Sequence, residues 1–193
     1  YITSLENYVA KLERLDKRIE EFAQGDKYQE KAAELGCLLG IKTQAAMTMM
    51  SEISDFSRFR TASEFASFLG LVPGENSSGE KTQRTSITKS GNSQCRKTLI
   101  EAAAGICRGK VGHKSKELMR RQALCNNPIA ISYADRANER LRSKFYRLNL
   151  RNGKPANVAK TAVARELACF IWGIMTDTYN GKVPRNDEYA LGK

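Results

Sequence analysis

Two adjacent serines, Ser77 and Ser78, stand directly before Gly79 in a polar stretch of the chain. A serine hydroxyl is a weak nucleophile at neutral pH, so it needs an activating base or cations that stabilise charge on a reacting phosphate. Gly79 would let the backbone approach a phosphodiester closely. The segment that follows is basic and contains Lys81, Arg84, Lys89, Arg96 and Lys97. The pattern indicates phosphodiester chemistry, and an exposed loop without catalytic role is the alternative that these residues leave open.

Other kinds of catalytic and metal site are excluded by residue type. The single histidine, His113, rules out both a Ser-His-Asp triad and a multi-histidine metal site. No GxxxxGK[ST] motif is present, so a P-loop ATPase is excluded as well. The five cysteines are irregularly spaced without a CxxC pair. We expect them to be reduced and mostly buried, and we expect no metal site in this chain.

The charge of the chain favours a polyanionic partner. Lys and Arg total 32 against 21 acidic residues, which gives a net charge of +11. The turn at 38–41 resembles a helix-hairpin-helix, a motif whose amides bind phosphate, and the segment 138–151 is rich in arginine. The predicted nucleic-acid contacts are Gly40, Lys42, Thr43, Lys81, Arg84, Lys89, Asn92, Arg96, Arg140, Lys144 and Arg147.

Hydrophobic periodicity predicts a mainly α fold with a polar, serine-bearing loop at 72–90. Helices are expected after the cap residues Thr43 and Thr61, over 115–125, from Pro128 to about Leu150, and from Pro155. A short strand is expected near 85–88. We divide the chain into an arm helix at 1–30, a serine-bearing domain at 31–179 and a polar tail at 180–193.

The first predicted helix has a coiled-coil-like apolar seam. Its members recur at spacings of three and four: Ile2, Leu5, Val9, Leu12, Leu15, Ile19 and Phe22. The seam predicts pairing with a second copy, and packing on its own domain is the alternative.

No apolar stretch approaches the ~20 residues that a bilayer requires. We therefore expect a cytoplasmic protein that does not bind a membrane, and, because the chain opens within a helix, part of a longer one.

A resemblance extends over about 70 residues, from Leu35 to Ala103. The segments that carry it follow one another in order: Glu52-Ile53, Arg58-Phe59, the run from Phe65 to Pro73, Ser77-Ser78-Gly79, the run from Ile87 to Asn92, Arg96, Leu99 and Ala102-Ala103. Together they resemble the C-terminal transposase domain of the insertion sequence 110 group and of the related Piv-type DNA invertases. One departure is at the hairpin, where the family often has Pro-Gly-Ile-Gly and this chain has Leu39-Gly40-Ile41-Lys42.

This resemblance implies a two-part enzyme. Ser78 matches the family's nucleophile, which attacks a DNA phosphodiester to form a covalent intermediate, and Ser77 is its close competitor. The family implies Mg²⁺ held by DEDD carboxylates of a RuvC-like domain, which this chain does not contain, so we expect the chain to be inactive alone. It also implies DNA as partner and, in several members, a bridge RNA as guide. Two other functions stay open: a non-catalytic nucleic-acid-binding module, and a helical scaffold.

Overall fold

The computed structural model of the chain describes residues 1–75 and 84–179. Within these residues it contains eight α-helices and one antiparallel hairpin of two short strands. The helices are α1 Ile2–Ala23, α2 Gln29–Gly36, α3 Thr43–Ile53, α4 Ala62–Phe68, α5 Ser93–Ile106, α6 Lys116–Ala123, α7 Pro128–Tyr146 and α8 Ala156–Met175. The strands are β1 Pro73–Glu75 and β2 Arg84–Ile87, and a π-helical turn, Arg147–Arg151, continues α7. The prediction of a mainly α fold is confirmed.

Four of the eight α-helices described, α4, α5, α6 and α7, begin at a residue whose side chain caps the helix. Thr61 Oγ1 accepts from the Glu64 amide at 3.1 Å, as the predicted capping box requires, and Asn127 Oδ1 caps α7 just before Pro128. The prediction for α3 was wrong by one residue. Its cap position is Lys42, which makes no side-chain cap, and Thr43 is the first helical residue. The first amides of α3 therefore receive no hydrogen bond from the cap side chain.

Helix α8 forms the centre of the core. It packs against α4, α5 and α7, and its buried side chains include Val163, Leu167, Phe170 and Ile174. Their spacing of three and four residues places them on one side of the helix. Glu166 is the only acidic residue in α8, and it is also buried. The helix that organises the hydrophobic core therefore carries one carboxylate that needs polar partners.

Helix α1 leaves its apolar seam in solvent. Only Ala23, at its end, is buried, whereas Leu5 and Leu12 are 64% and 60% exposed. The predicted helix is confirmed, and packing of the whole seam on its own domain is not observed among the described residues. Exposed apolar residues at regular spacing over six turns are typical of a helix that pairs with another one.

The β1–β2 hairpin stands on a close approach of two backbone segments. Gly70 and Gly91 both have positive φ, at 66° and 88°. A Cβ at Gly91 would lie 1.8 Å from the Phe68 carbonyl oxygen, and one at Gly70 would lie 2.1 Å from the Ser90 carbonyl oxygen. Because these two residues have no side chain, the segment before β1 can contact the segment after β2. The base of the hairpin is thereby fixed.

The cysteines are all free and buried, as predicted. Burial is the main cause that raises the pKa of Cys37 and Cys95 to about 12 and that of Cys107 to about 11. These thiols are consequently uncharged at neutral pH and pack as small apolar groups.

None of the helices described is both long and apolar enough to cross a bilayer.

Candidate nucleic-acid interface

A basic cleft of about 450 Å³ lies where α7 passes into the π-helical turn. Four cations and one carboxylate line it, together with three other side chains. The full lining is Val111, Arg140, Ser143, Lys144, Tyr146, Arg147, Arg151 and Glu166. The structure therefore brings together the three predicted contacts of this helix, Arg140, Lys144 and Arg147, and adds Arg151 to them. An excess of positive charge in a concave site attracts anions.

Glu166 of α8 holds two of the four cations in place. Its carboxylate is only 7% exposed and accepts from Arg140 Nε through one oxygen and from Lys144 Nζ at 2.6 Å through the other. A buried carboxylate needs such partners because its desolvation is costly. Sequence reasoning missed this residue. The available signal was a single carboxylate within an otherwise apolar helix face.

The remaining two cations come from the π-helical turn. Arg147 and Arg151 are exposed, and among the residues that the structure describes neither of them makes an ion pair. They are four positions apart in the sequence, so they lie on one side of the turn and both line the cleft. Short π-helical turns occur frequently at functional sites. The cleft thus has an ion-paired part around Glu166, which keeps one positive charge in excess, and two further arginines that are exposed.

Helix α8 connects this cleft with the serine-bearing hairpin. Glu166 lies in the cleft, whereas its neighbour Arg165 lines a groove of about 360 Å³ under the hairpin. That groove is bounded by Pro73 and Ile87 of the hairpin and by Val158 of α8. Val158 is apolar, but it is more than half exposed and borders the groove. The two sites occupy adjoining sides of the same half of α8.

The turn between α2 and α3 is closely packed on other helices. Gly40 has a φ of 80°, and a Cβ there would lie 2.4 Å from the Ala102 carbonyl oxygen. Asn138 of α7 accepts from the Leu39 amide at 2.7 Å. Lys42 is exposed and pairs with Glu117 at 3.1 Å, beside Thr43 at the start of α3. The helix-hairpin-helix itself, and the contacts of Gly40, Lys42 and Thr43 with nucleic acid, stay predictions.

The turn that follows β2 is stabilised by Asn92 and Arg96, two of the residues predicted to contact nucleic acid. Asn92 caps α5 by accepting from the Cys95 amide at 2.9 Å and donates to Glu52 at 2.6 Å. Arg96 donates to the Leu69 carbonyl oxygen at 3.0 Å and so ties the turn to the end of α4. Lys89 is exposed at a positive φ of 56°. Asn92 and Arg96 therefore shape the base of the hairpin, and of these three residues Lys89 is the one with an exposed side chain.

Several predicted residues lie outside the described part of the chain. These are Ser77, Ser78 and Lys81, together with the tail 180–193; of Arg84 only the backbone, in β2, is described. Within residues 1–75 and 84–179, no group of three His, Cys, Asp or Glu side chains is arranged to hold a metal ion. The described residues thus do not fit a Mg²⁺ site.

Comparison with known proteins identifies a family that this chain resembles. The profile of the transposase IS116/IS110/IS902 family matches residues 32–119. A putative transposase, y4qE, of Sinorhizobium fredii is 36% identical over 86% of this chain and 42% of its own length. A probable family 20 transposase of Pseudomonas aeruginosa is 26% identical over 89% of this chain and 42% of its own length.

The transposase for insertion sequence element IS1111A of Coxiella burnetii is 28% identical over 58% of this chain and 33% of its own length. The chain thus spans less than half the length of the curated relatives that it matches. The family match runs from within α2 to within α6, so it includes Val111 of the basic cleft but none of the four cations that line it.

Proposed function

We propose that this chain, whose residues 32–119 match the IS116/IS110/IS902 family of transposases, binds DNA and supplies the serine nucleophile of transposition. The observation that carries the proposal is the position of the basic cleft and of the serine-bearing hairpin on adjoining sides of α8. A nucleic-acid backbone that is held in the cleft passes close to the hairpin. Binding and chemistry then share one rigid support.

The proposed nucleophile is Ser78. Its hydroxyl oxygen forms a bond to the phosphorus of the scissile phosphodiester, and the bond from phosphorus to one sugar oxygen breaks. The hydroxyl proton ends on the released sugar oxygen, so the products are a serine–DNA phosphodiester and a free DNA hydroxyl. The support is the resemblance at Ser77-Ser78-Gly79 and the basic surroundings in sequence. Ser77 is the alternative nucleophile.

The resemblance supports two further parts of the proposal. The carboxylates that would bind Mg²⁺ are those of a RuvC-like domain of the transposase, and for this reason Ser78 is expected to be inactive in this chain alone. An RNA guides the choice of target. Neither part rests on the described residues, and both follow from the family pattern in the sequence.

Binding through the cleft predicts a strong effect of two charges. Replacing Arg147 and Arg151 together with alanine is expected to weaken duplex-DNA binding by about tenfold at about 0.1 M salt for each phosphate that is no longer neutralised. The slope of log affinity against log salt should fall by about 0.9 for each such phosphate. Fluorescence anisotropy titrations at several salt concentrations measure both quantities.

The matched control removes two positive charges from α1, at Lys11 and Arg18, which do not line the cleft. If the affinity and the slope fall equally in both double variants, binding responds to net charge alone and the cleft is not the interface.

We also propose that α1 pairs with α1 of a second copy of this chain. The support is its exposed apolar seam over six turns, in which Leu5 and Leu12 lie seven residues apart. Replacing Leu5 and Leu12 with glutamine is expected to convert a dimer or larger assembly into a monomer. Sedimentation equilibrium gives the masses, and replacing Asn7 and Arg14 with glutamine, on the side opposite the seam, is the control. A monomeric unmodified chain would refute the pairing.

A further inference from the structure

A second basic element borders the cleft, in the loop 107–115 between α5 and α6. The loop carries Arg108, Lys110 and Lys114 and contains no acidic residue. Lys114 is paired with Asp135 at 2.5 Å. Arg108 and Lys110 are exposed, and among the described residues neither makes an ion pair. Two cations of this loop are thus available to a partner.

The loop owes its shape to Arg142 of α7. This arginine lies in the arginine-rich segment 138–151, but it is only 6% exposed. Its guanidinium donates to three carbonyl oxygens of the loop region: Ile106 at 3.2 Å, Lys110 at 2.7 Å and His113 at 2.5 Å. These bonds compensate the desolvation of a buried cation. They also fix the backbone on both sides of Lys110.

A second bond joins the loop to the cleft itself. The hydroxyl of Tyr146, which lines the cleft, donates to the Gly109 carbonyl oxygen at 3.1 Å. Val111 of the loop lines the cleft as well. The loop is therefore one wall of the cleft, and the π-helical turn with Arg147 and Arg151 is another.

We propose that this loop is a second phosphate-binding wall, so that a nucleic-acid backbone is held between Arg108 and Lys110 on one side and Arg147 and Arg151 on the other. Arg142 is the positioning residue, because it shapes the loop without reaching solvent. The proposal rests on the proposed function, since it names a further contact for the same polyanion. Duplex DNA and a folded RNA present the same backbone phosphates, and the test separates them.

The test measures the affinity and the salt slope of the chain for a mixed-sequence DNA duplex and for an RNA stem-loop with the same number of nucleotides. The first variant replaces Arg108 and Lys110 with alanine, which changes only exposed side chains. On duplex DNA, its affinity is expected to fall about tenfold at about 0.1 M salt, and its slope by about 0.9, for each phosphate that the loop neutralises. Replacing Lys116 and Arg120 of α6, which do not line the cleft, is the charge-matched control.

The second variant, Gly109→Ala, keeps every charge. A Cβ at Gly109 would lie 1.9 Å from Arg142 Nη2, so the guanidinium must move away from the carbonyl oxygens that it holds. For this variant the slope of log affinity against log salt is expected to fall although its net charge is unchanged. A purely structural role for Arg142 would not produce that fall. A thermal melt of the same sample shows that the protein is folded.

The outcomes distinguish this inference from the function on which it depends. A reduced slope for the loop variant and not for its control supports the second wall, and the probe with the larger reduction identifies DNA or RNA as the backbone held there. Unchanged binding of the loop variant, with weaker binding of the Arg147 and Arg151 variant, overturns the second wall and leaves the proposed function standing. If the unmodified chain binds neither probe at low salt, the proposed function itself fails.

Discussion

Replacing Ser78 with alanine in the full-length transposase is expected to reduce covalent protein–DNA adducts below about one thousandth of the unmodified level. The reason is that the alanine side chain has no oxygen that could form a phosphoester. Affinity for DNA should stay within about twofold, since one neutral hydroxyl contributes little to an interface dominated by charge. The adduct is trapped on a nicked duplex that cannot be religated, and mass spectrometry identifies the residue that carries the nucleotide.

Two serine substitutions serve as controls for this result. Ser77→Ala should be milder than Ser78→Ala, and Ser86→Ala, in the exposed part of β2, should leave adduct formation unchanged. An adduct that persists in the Ser78 variant and disappears in the Ser77 variant would transfer the role to Ser77. If adducts form equally in all three variants, the chain acts as a nucleic-acid-binding module and the nucleophile lies elsewhere.

Replacing Gly91 with alanine is expected to lower the free energy of unfolding by about 3 kcal/mol. Two costs combine at this position. The φ of 88° is unfavourable for alanine, and the new Cβ would lie 1.8 Å from the Phe68 carbonyl oxygen, which is backbone and cannot turn aside. Urea unfolding followed by circular dichroism measures the change as a shift of the midpoint.

The control is Gly112→Ala, which isolates the clash from the backbone strain. Gly112 has a similar φ of 76°, and no atom lies within 4 Å of the Cβ position. Its substitution should cost about 1 kcal/mol. Equal decreases in stability at the two positions would mean that the contact between the segments at Phe68 and Gly91 is not tight, and that the base of the hairpin can relax.

The sequence predicted the helices well because their limits depend on local chemistry. The capping box at Thr61, the proline at the start of α7 and the break at Asn152-Gly153 act within a few residues of the chain. The strand β1 was not predicted, since three residues with one glycine and one proline carry no periodic pattern. Pairing with β2 is what makes that segment a strand.

The candidate site was predicted less completely, for a different reason. The arginines of α7 and its π-helical turn have the same sequence signature, yet Arg147 is exposed and Arg142 is buried under a loop about thirty residues earlier in the chain. The partner of Arg140 and Lys144 is Glu166, on another helix. Composition predicts an excess of positive charge. The packing of α7 against α8 and against the loop 107–115 determines which cations face outward.

The use of one helix by two sites limits where the chain can change its length. In an α-helix each residue is rotated by about 100° from the last, so one residue inserted between Arg165 and Glu166 would turn the hairpin side away from the cleft side by that angle. Insertions and deletions are therefore expected to be excluded from this half of α8 during evolution. An insertion in the turn at 152–154, which precedes α8, would leave the relative orientation of Arg165 and Glu166 unchanged.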